Sequence, residues 1–361
     1  MALVKLQGRG SSKMRDETGD QSISFATGGF DHIIRMWQPS NGRYIKGFDH
    51  NDSQVNSLAF THDGRYLAAA GFARIRIYDV QGGANHINSV KDFTKNVNSI
   101  GHDARGRWTY AGGEDKVAKI FDLRSSNHGS QAASGACHSS SNINTMVLHP
   151  NQTEILFGND KGEIYCWDLR NGQVNVICPD LRGGAILSLS INPEGTSLAA
   201  TNASGALLLW SLVGSMNFKP IPKYNKPVHS SYALKCEFSP DSTLLATCGA
   251  DGKVNLIRTA DCSITTVLQP SSNANSADSR TFWSWDCAFS ADSRYLISAH
   301  SDGIARLWSL EESQQQSFTT SYSTGGDAGS GSAPKPRLEY KGHQRAITCI
   351  AFRDQSLSTS A

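Results

Sequence analysis

The sequence has no CxxC pair, no His and Cys at metal-ligand spacing, no phosphate-cradling Gly loop and no run of about 18 apolar residues. The first two absences exclude zinc modules and thiol–disulfide catalysis. The eight Cys stand singly, in or near stretches that read as strands, and are read as small buried residues of a reducing compartment. The third absence removes the commonest nucleotide sites, and the fourth a helical membrane span. Only the apolar stub Met1 to Val4 precedes polar residues, so no signal peptide is expected. Charge is scarce too: 18% of residues, with a formal net charge of +2. That balance aims no strong field at nucleic acid or at an acidic membrane surface. Neither a cofactor nor a metal is implied, and nucleic acid and membrane insertion are not expected as partners.

What is present is repetition. Ala26 to Trp37, ATGGFDHIIRMW, reads as a strand, a tight turn around Asp31 and a second strand closing on Trp37. The phrase returns as LAAAGFARIRIYD, TYAGGEDKVAKIFD, ILFGNDKGEIYCWD, LAATNASGALLLWS, LATCGADGKVNLIR and LISAHSDGIARLWS. These seven hairpins end at Trp37, Tyr78, Phe121, Trp167, Trp210, Ile257 and Trp308, at intervals of 41 to 51 residues. One hairpin alone is marginal in water. A period of roughly 40 to 45 residues with a Trp-Asp ending is the pattern of WD-repeat propeller blades, four strands each. The expected fold is therefore all-β, a seven-bladed WD-repeat β-propeller.

An apolar inner strand precedes each hairpin except the first: QVNSLAF, NVNSIGH, NINTMVLHP, AILSLSINP, YALKCEFSP and WSWDCAFSA. The C-terminal LEYKGHQRAITCIAF supplies an outer strand, a Gly-His, and one inner strand with no hairpin after it. The orphan strand and the orphan hairpin make one blade, so N- and C-terminal segments pair and two exposed sheet edges disappear. The propeller is placed at residues 22–354, between a disordered tail at 1–21 and a short tail at 355–361. Residues 313–336, rich in Ser, Gly and Gln, cannot form a core and read as a disordered insert between the third and fourth strands of blade seven. A smaller Ser-rich stretch, Ser125 to Ser141, reads as a link between blades three and four.

His343, Thr27, Asp31 and Trp37 should converge in blade one. An acid, a His and a hydroxyl together resemble a catalytic triad. The plainer reading is a structural network, because buried polar groups must be satisfied and a closed set of them holds strand register. Blade six has His229, Thr247 and Asp251 but Ile257 in place of Trp. Blade seven has Ser298, Asp302 and Trp308, with Arg280 where the His would fall.

The inner strands, aligned on their last apolar residue, place Ala346, Gln54, Asn96, Asn142, Ala185, Tyr232 and Trp283 at one rim of the central channel. Trp285 lies two residues on, on the same strand face. Phe30 and Phe72 precede or occupy the hairpin turns of blades one and two at that rim. Tyr232, Trp283, Trp285, Phe30 and Phe72 thus form an arc over blades six, seven, one and two. Arg280 stands beside it, and Gln54 and Asn56 continue it on blade two. Aromatics with Arg are the composition of an interaction hot spot; the alternative is rings packed between blades. A rival signal is Phe121-Asp122-Leu123-Arg124 and Trp167-Asp168-Leu169-Arg170. Both fit the W-D-x-R pattern of propeller substrate receptors for cullin-RING ubiquitin ligases, although an Arg after such an Asp is also ordinary solvated surface.

GFDHIIRMWQ, DSQVNSLAF, GGEDKVAKIFDLR, VLHPNQTEILFG, IPKYNKPVHSSYALKCEFSPDSTLLATC, FWSWDCAFSADS and GHQRAITCIAF follow one another across residues 24 to 352. In them the chain resembles the Gβ-like WD-repeat subunits of TOR kinase complexes, the lethal-with-SEC-thirteen family. The departures are the N-terminal tail, the insert, and Ile257-Arg258 where Trp-Arg is expected. The resemblance implies a non-catalytic propeller carried by both TOR complexes. It implies docking on the C-lobe of the TOR kinase domain, contact with other complex subunits, and support of the kinase active site and of the second complex's integrity. A monomeric propeller within a larger cytoplasmic assembly, peripheral at endomembranes through its partners, is the corresponding expectation.

Overall fold

The computed structural model describes residues 24–122, 133–178, 184–212, 221–270, 282–311 and 334–353. Over these residues the chain forms seven four-stranded antiparallel sheets, with strands numbered β1 to β28 in chain order. Six blades run through four consecutive strands each. Blade one instead has the order β28 (Ile347–Arg353), β1 (Ser24–Gly29), β2 (Ile33–Trp37), β3 (Tyr44–Asp49). The inner strand of the first blade is thus the last strand among the described residues, paired from Ser24↔Arg353 to Gly29↔Ile347.

Burial follows strand position. Second strands such as Glu154–Asn159, Leu244–Gly249 and Tyr295–His300 are buried along their whole length, because a neighbouring blade covers each face. They accordingly read as near-continuous apolar runs. Outer strands bury few residues: in Tyr44–Asp49 only Phe48 is buried. The core is a set of seams between blades. Phe25, Trp37 and Tyr340, for example, pack with Ile297, Leu307 and Ile347 where blade seven meets blade one. Of the seven cysteines whose side chains are described, all are free and six are buried; burial alone pushes the Cys137 thiol up to about 11.

At one end of the inner strands, the hairpins to the second strands turn on a Ser/Thr-x-Asp device. Thr61, Ser239 and Ser290 donate their hydroxyls to Asp63, Asp241 and Asp292, and each hydroxyl accepts the backbone N–H that re-enters the sheet. At the opposite rim an extra residue swells the inner strand into a β-bulge in at least six blades. Gly29 and Gly113 lie against these bulges. A Cβ on either would stand 2.1 or 2.0 Å from the carbonyl oxygen of Ala346 or Asn96, so only Gly fits.

One expectation is corrected. The Ser125 to Ser141 stretch is not merely a link: Gly135–His138 within it is the outer strand of blade three, paired with Val117–Asp122. An edge strand needs little more than backbone pairing, and only Cys137 of its four residues is buried, so the apolar signal is nearly absent. Blade seven's third strand ends at Ser309 and its fourth begins at Leu338. Most of the 313–336 segment between them, both tails, Arg280 and Arg124 lie outside the described residues.

Candidate protein-binding rim

Blade one brings its four polar residues together across more than 300 residues of sequence. Thr27 Oγ1 lies 2.7 Å from His343 Nε2 and accepts the Trp37 indole N–H at 2.8 Å. His343 Nδ1 sits 2.9 Å from Asp31, which also accepts Arg35 at 2.6 Å. Burial pushes the Asp31 carboxyl up, but His343 and then Arg35 outweigh it and hold it at about 2. Burial also lowers the His343 imidazole against the pull of Asp31. The Thr27 hydroxyl is engaged by His343, by Trp37 and, at 3.4 Å, by the Arg35 carbonyl. The set latches strands β1 and β2 to the segment leading into β28.

Blade six repeats this in part, with His229 between Asp251 at 2.9 Å and Thr247 at 3.0 Å. Blade seven solves the same problem with a residue the sequence pattern does not single out. His300, on the second strand itself, bridges Ser298 at 2.7 Å and Ser284 at 3.1 Å, while Trp308 donates to Ser298. Its ring is enclosed and its pKa is driven well down by burial.

The bulges explain what stands on the channel rim. A bulge residue is turned out of the ladder and aimed sideways. In blades three and four it is Asn98 and Asn144, whose amides donate to the carbonyls of Ile143 and Ile186 on the next blade. Thr348 in blade one reaches Val55 in the same way. Asn56 holds this position in blade two and donates to Val97 at 3.0 Å. Its amide is therefore a tie between blades rather than a free contact group. Beside it Gln54 meets Asn96 at 3.5 Å, and Asn96 donates to Glu114 at 2.8 Å.

Blade seven carries Trp285 at that bulge. No carbonyl meets its Nε1, which is buried and finds no acceptor among the described residues. Its ring stands 5.3 Å from Trp283 and 6.1 Å from Phe30, and Trp283 stands 6.3 Å from Tyr232. Four rings from blades six, seven and one thus touch in sequence. Tyr232, Trp283 and Phe30 are 48%, 37% and 38% exposed, and Trp285 is half-buried beneath them. Phe282, which the sequence pattern overlooks, adds an exposed ring beside Trp283. Phe72 is exposed on blade two but stands outside this run of rings.

Where amide ties are missing, charged side chains link the blades instead. Lys235 on blade six pairs with Asp286 on blade seven at 3.1 Å, and Asp286 accepts Ile350 N–H of blade one at 2.8 Å. Glu237 accepts Phe289 N–H of blade seven at 3.3 Å. Burial pushes Glu237 up to about 7 against the opposing charge of Lys235. For Lys235 burial acts downward, yet Asp286 and Glu237 hold it above the ordinary lysine value. Only the spacing of inner strands could have revealed this cluster, since no motif contains it.

The ubiquitin-ligase signal fares differently. Arg170 folds back on Asp168, with backbone and guanidinium both donating to the carboxylate at 2.8 to 3.3 Å. It closes its own turn.

The family profile described as "WD domain, G-beta repeat" matches residues 42–79, 221–258 and 279–309. A curated relative from Mus musculus, "Target of rapamycin complex subunit LST8", is 39% identical over 94% of this chain and 97% of its own length. "Protein LST8 homolog" of Drosophila melanogaster is 34% identical over 93% of this chain and 98% of its own. "Target of rapamycin complex subunit wat1" of Schizosaccharomyces pombe is 31% identical over 67% of this chain and 76% of its own.

Proposed function

Because the chain belongs to the LST8 family of WD-repeat propellers, we propose that it is a non-catalytic scaffold subunit of TOR kinase complexes. In this reading the aromatic rim of blades six, seven and one docks on the TOR kinase domain or on another subunit beside it. The observation that carries the reading is Trp285. At a position where Asn or Thr ties neighbouring blades in blades one to four and Leu187 and Leu234 stand in blades five and six, blade seven places an indole that keeps a buried N–H unanswered and extends an exposed run of rings. An unanswered donor costs stability unless a partner supplies an acceptor, and Trp and Tyr dominate the residues whose loss costs about 2 kcal/mol or more in interfaces. Docking there supports kinase activity by holding the complex together, and the propeller itself performs no chemistry.

The test is the Trp283→Ala, Trp285→Ala double variant, assayed by thermal melting and by co-purification of the kinase complex. The expected result is a near-native melt with loss of kinase and associated subunits. Retention of the kinase complex by a folded double variant would refute the docking assignment. Binding that falls only in step with melting temperature would return the rings to a packing role.

A further inference from the structure

At the end of the inner strands away from the aromatic rim, a cavity of about 460 Å3 lies among blades six, seven, one and two. That volume lies within the range of small-molecule sites. Most of its lining is apolar: Leu58 and Phe60 from blade two, Phe289 from blade seven, Ile350 and Phe352 from blade one. Four lining residues can carry charge, Lys235, Glu237, Arg353 and the exposed His62.

Both permanent cations of this lining already have a counter-charge. Lys235 pairs with Asp286 at 3.1 Å, and Asp286 also accepts the Cys287 and Ile350 N–H groups at 2.9 and 2.8 Å. Arg353 donates to the Gly64 carbonyl at 2.7 Å; burial lowers its guanidinium, and the charge of Asp63 opposes that. Glu237 is different. One of its oxygens accepts the Phe289 N–H at 3.3 Å, and among the described residues no cation stands within ion-pair distance of either oxygen. Burial outweighs the more distant charge of Lys235 on this half-buried carboxyl, as expected of an acid short of a counter-ion. The cluster therefore holds two acids, Asp286 and Glu237, to one lysine, and the acid left over is the one that lines the cavity.

We propose that this cavity binds a small primary amine, its ammonium paired with Glu237 and its apolar stem laid along Leu58, Phe60 and Phe352. An ammonium brings the positive charge that the cluster lacks, and its donors meet the Glu237 oxygen that accepts nothing from the described residues. A carboxylate would be repelled by the same oxygen, and an alcohol would leave the charge uncompensated in apolar surroundings. The stem gains by leaving water for the aliphatic and aromatic wall. Phe60, Phe289 and Phe352 stand at the ends of the inner strands, whereas Trp283 and Trp285 stand at the start of theirs, so the site is independent of docking at the aromatic rim.

The test is ligand-observed NMR titration of the full chain with hexylamine, hexanol, hexanoate and butylamine. Hexylamine should bind saturably, with hexanol and hexanoate at least about tenfold weaker. Butylamine, with two fewer methylenes to bury, should bind about fivefold or more weakly than hexylamine. Glu237→Gln keeps an acceptor for the Phe289 N–H and removes only the charge; it should weaken hexylamine about tenfold or more and leave hexanol unchanged. Absence of saturable hexylamine binding overturns the proposal, as does equal binding of hexylamine and hexanoate or of the two amines. Undiminished hexylamine binding by a folded Glu237→Gln chain overturns it as well, and the comparison of probes on the unmutated chain stands whatever that variant does to folding.

Discussion

Replacing His50 by Gln should make the stability of the propeller less sensitive to acid. His50 is fully enclosed, with Nδ1 3.1 Å from the Tyr78 hydroxyl and Nε2 without a partner. Burial, helped by the charge of Arg76, pushes its pKa down to about 3 from the usual 6.5. The sign follows from linkage. A group whose folded pKa is depressed contributes its full stability above the unfolded value, and that contribution is lost as pH falls below 6.5 toward 3. At pH 5 the unfolded chain holds the proton almost fully and the folded one scarcely at all. Each pH unit across that gap is worth about 1.36 kcal/mol, so the step from neutrality to pH 5 removes about 2 kcal/mol through this ring alone. Gln can still meet Tyr78 but does not titrate; its cost, about 1–2 kcal/mol for altered packing and bonding, is independent of pH. Urea unfolding at pH 7 and pH 5 measures both terms. Wild type should lose about 2 kcal/mol more than the variant between the two pH values. His102, lowered to about 4, and His300 act in the same sense but are common to both proteins and cancel. Parallel losses in the two proteins would refute the reasoning.

His343→Ala leaves Asp31 and Thr27 each short of a buried partner and should cost about 1–3 kcal/mol, read as a lowered melting temperature. Gly29→Ala drives a Cβ into the Ala346 carbonyl and should destabilise the blade-one bulge more than Gly172→Ala, which meets no atom but pays for its positive φ; paired melts compare them. Deleting residues 338–361 removes β28 and the outer strand of blade seven, exposing two sheet edges, and should yield an aggregating product by size-exclusion chromatography. A truncated chain that remains monomeric and melts as sharply as the full one would contradict the stitched closure.

The ring and its closure were legible because a turn chemistry and an apolar period repeat seven times, and a repeat is visible even where single strands are ambiguous. Gly135–His138 was hidden for the converse reason, as an edge strand with one buried side chain. The blade-one network could be read from spacing, since the Gly-His, the hairpin Thr, the turn Asp and the closing Trp occupy fixed places in the repeat. His300 could not. It reaches Ser298 from within its own strand, a contact made by side-chain direction rather than by sequence interval. Asn56 shows the limit at the rim. Its place in the strand marks it as rim-facing, but the bulge turns its amide sideways onto Val97. The same displacement in blade seven leaves the Trp285 N–H without an acceptor, a property visible only in three dimensions.

The pairing of β1 with β28 also has a consequence in time. A chain made from its N-terminus delivers β1, β2 and β3 early, yet the strand that completes their sheet emerges last. At about 5–20 residues per second, the first blade waits roughly 15 to 65 s with its inner edge uncovered. Through that interval every other blade can be completed in order, but none can be locked into a closed circle. His343 and Ile347 to Arg353 arrive together and act as a clasp. Until they arrive, the uncovered edge of β1 is the part of the nascent fold most open to pairing with another chain.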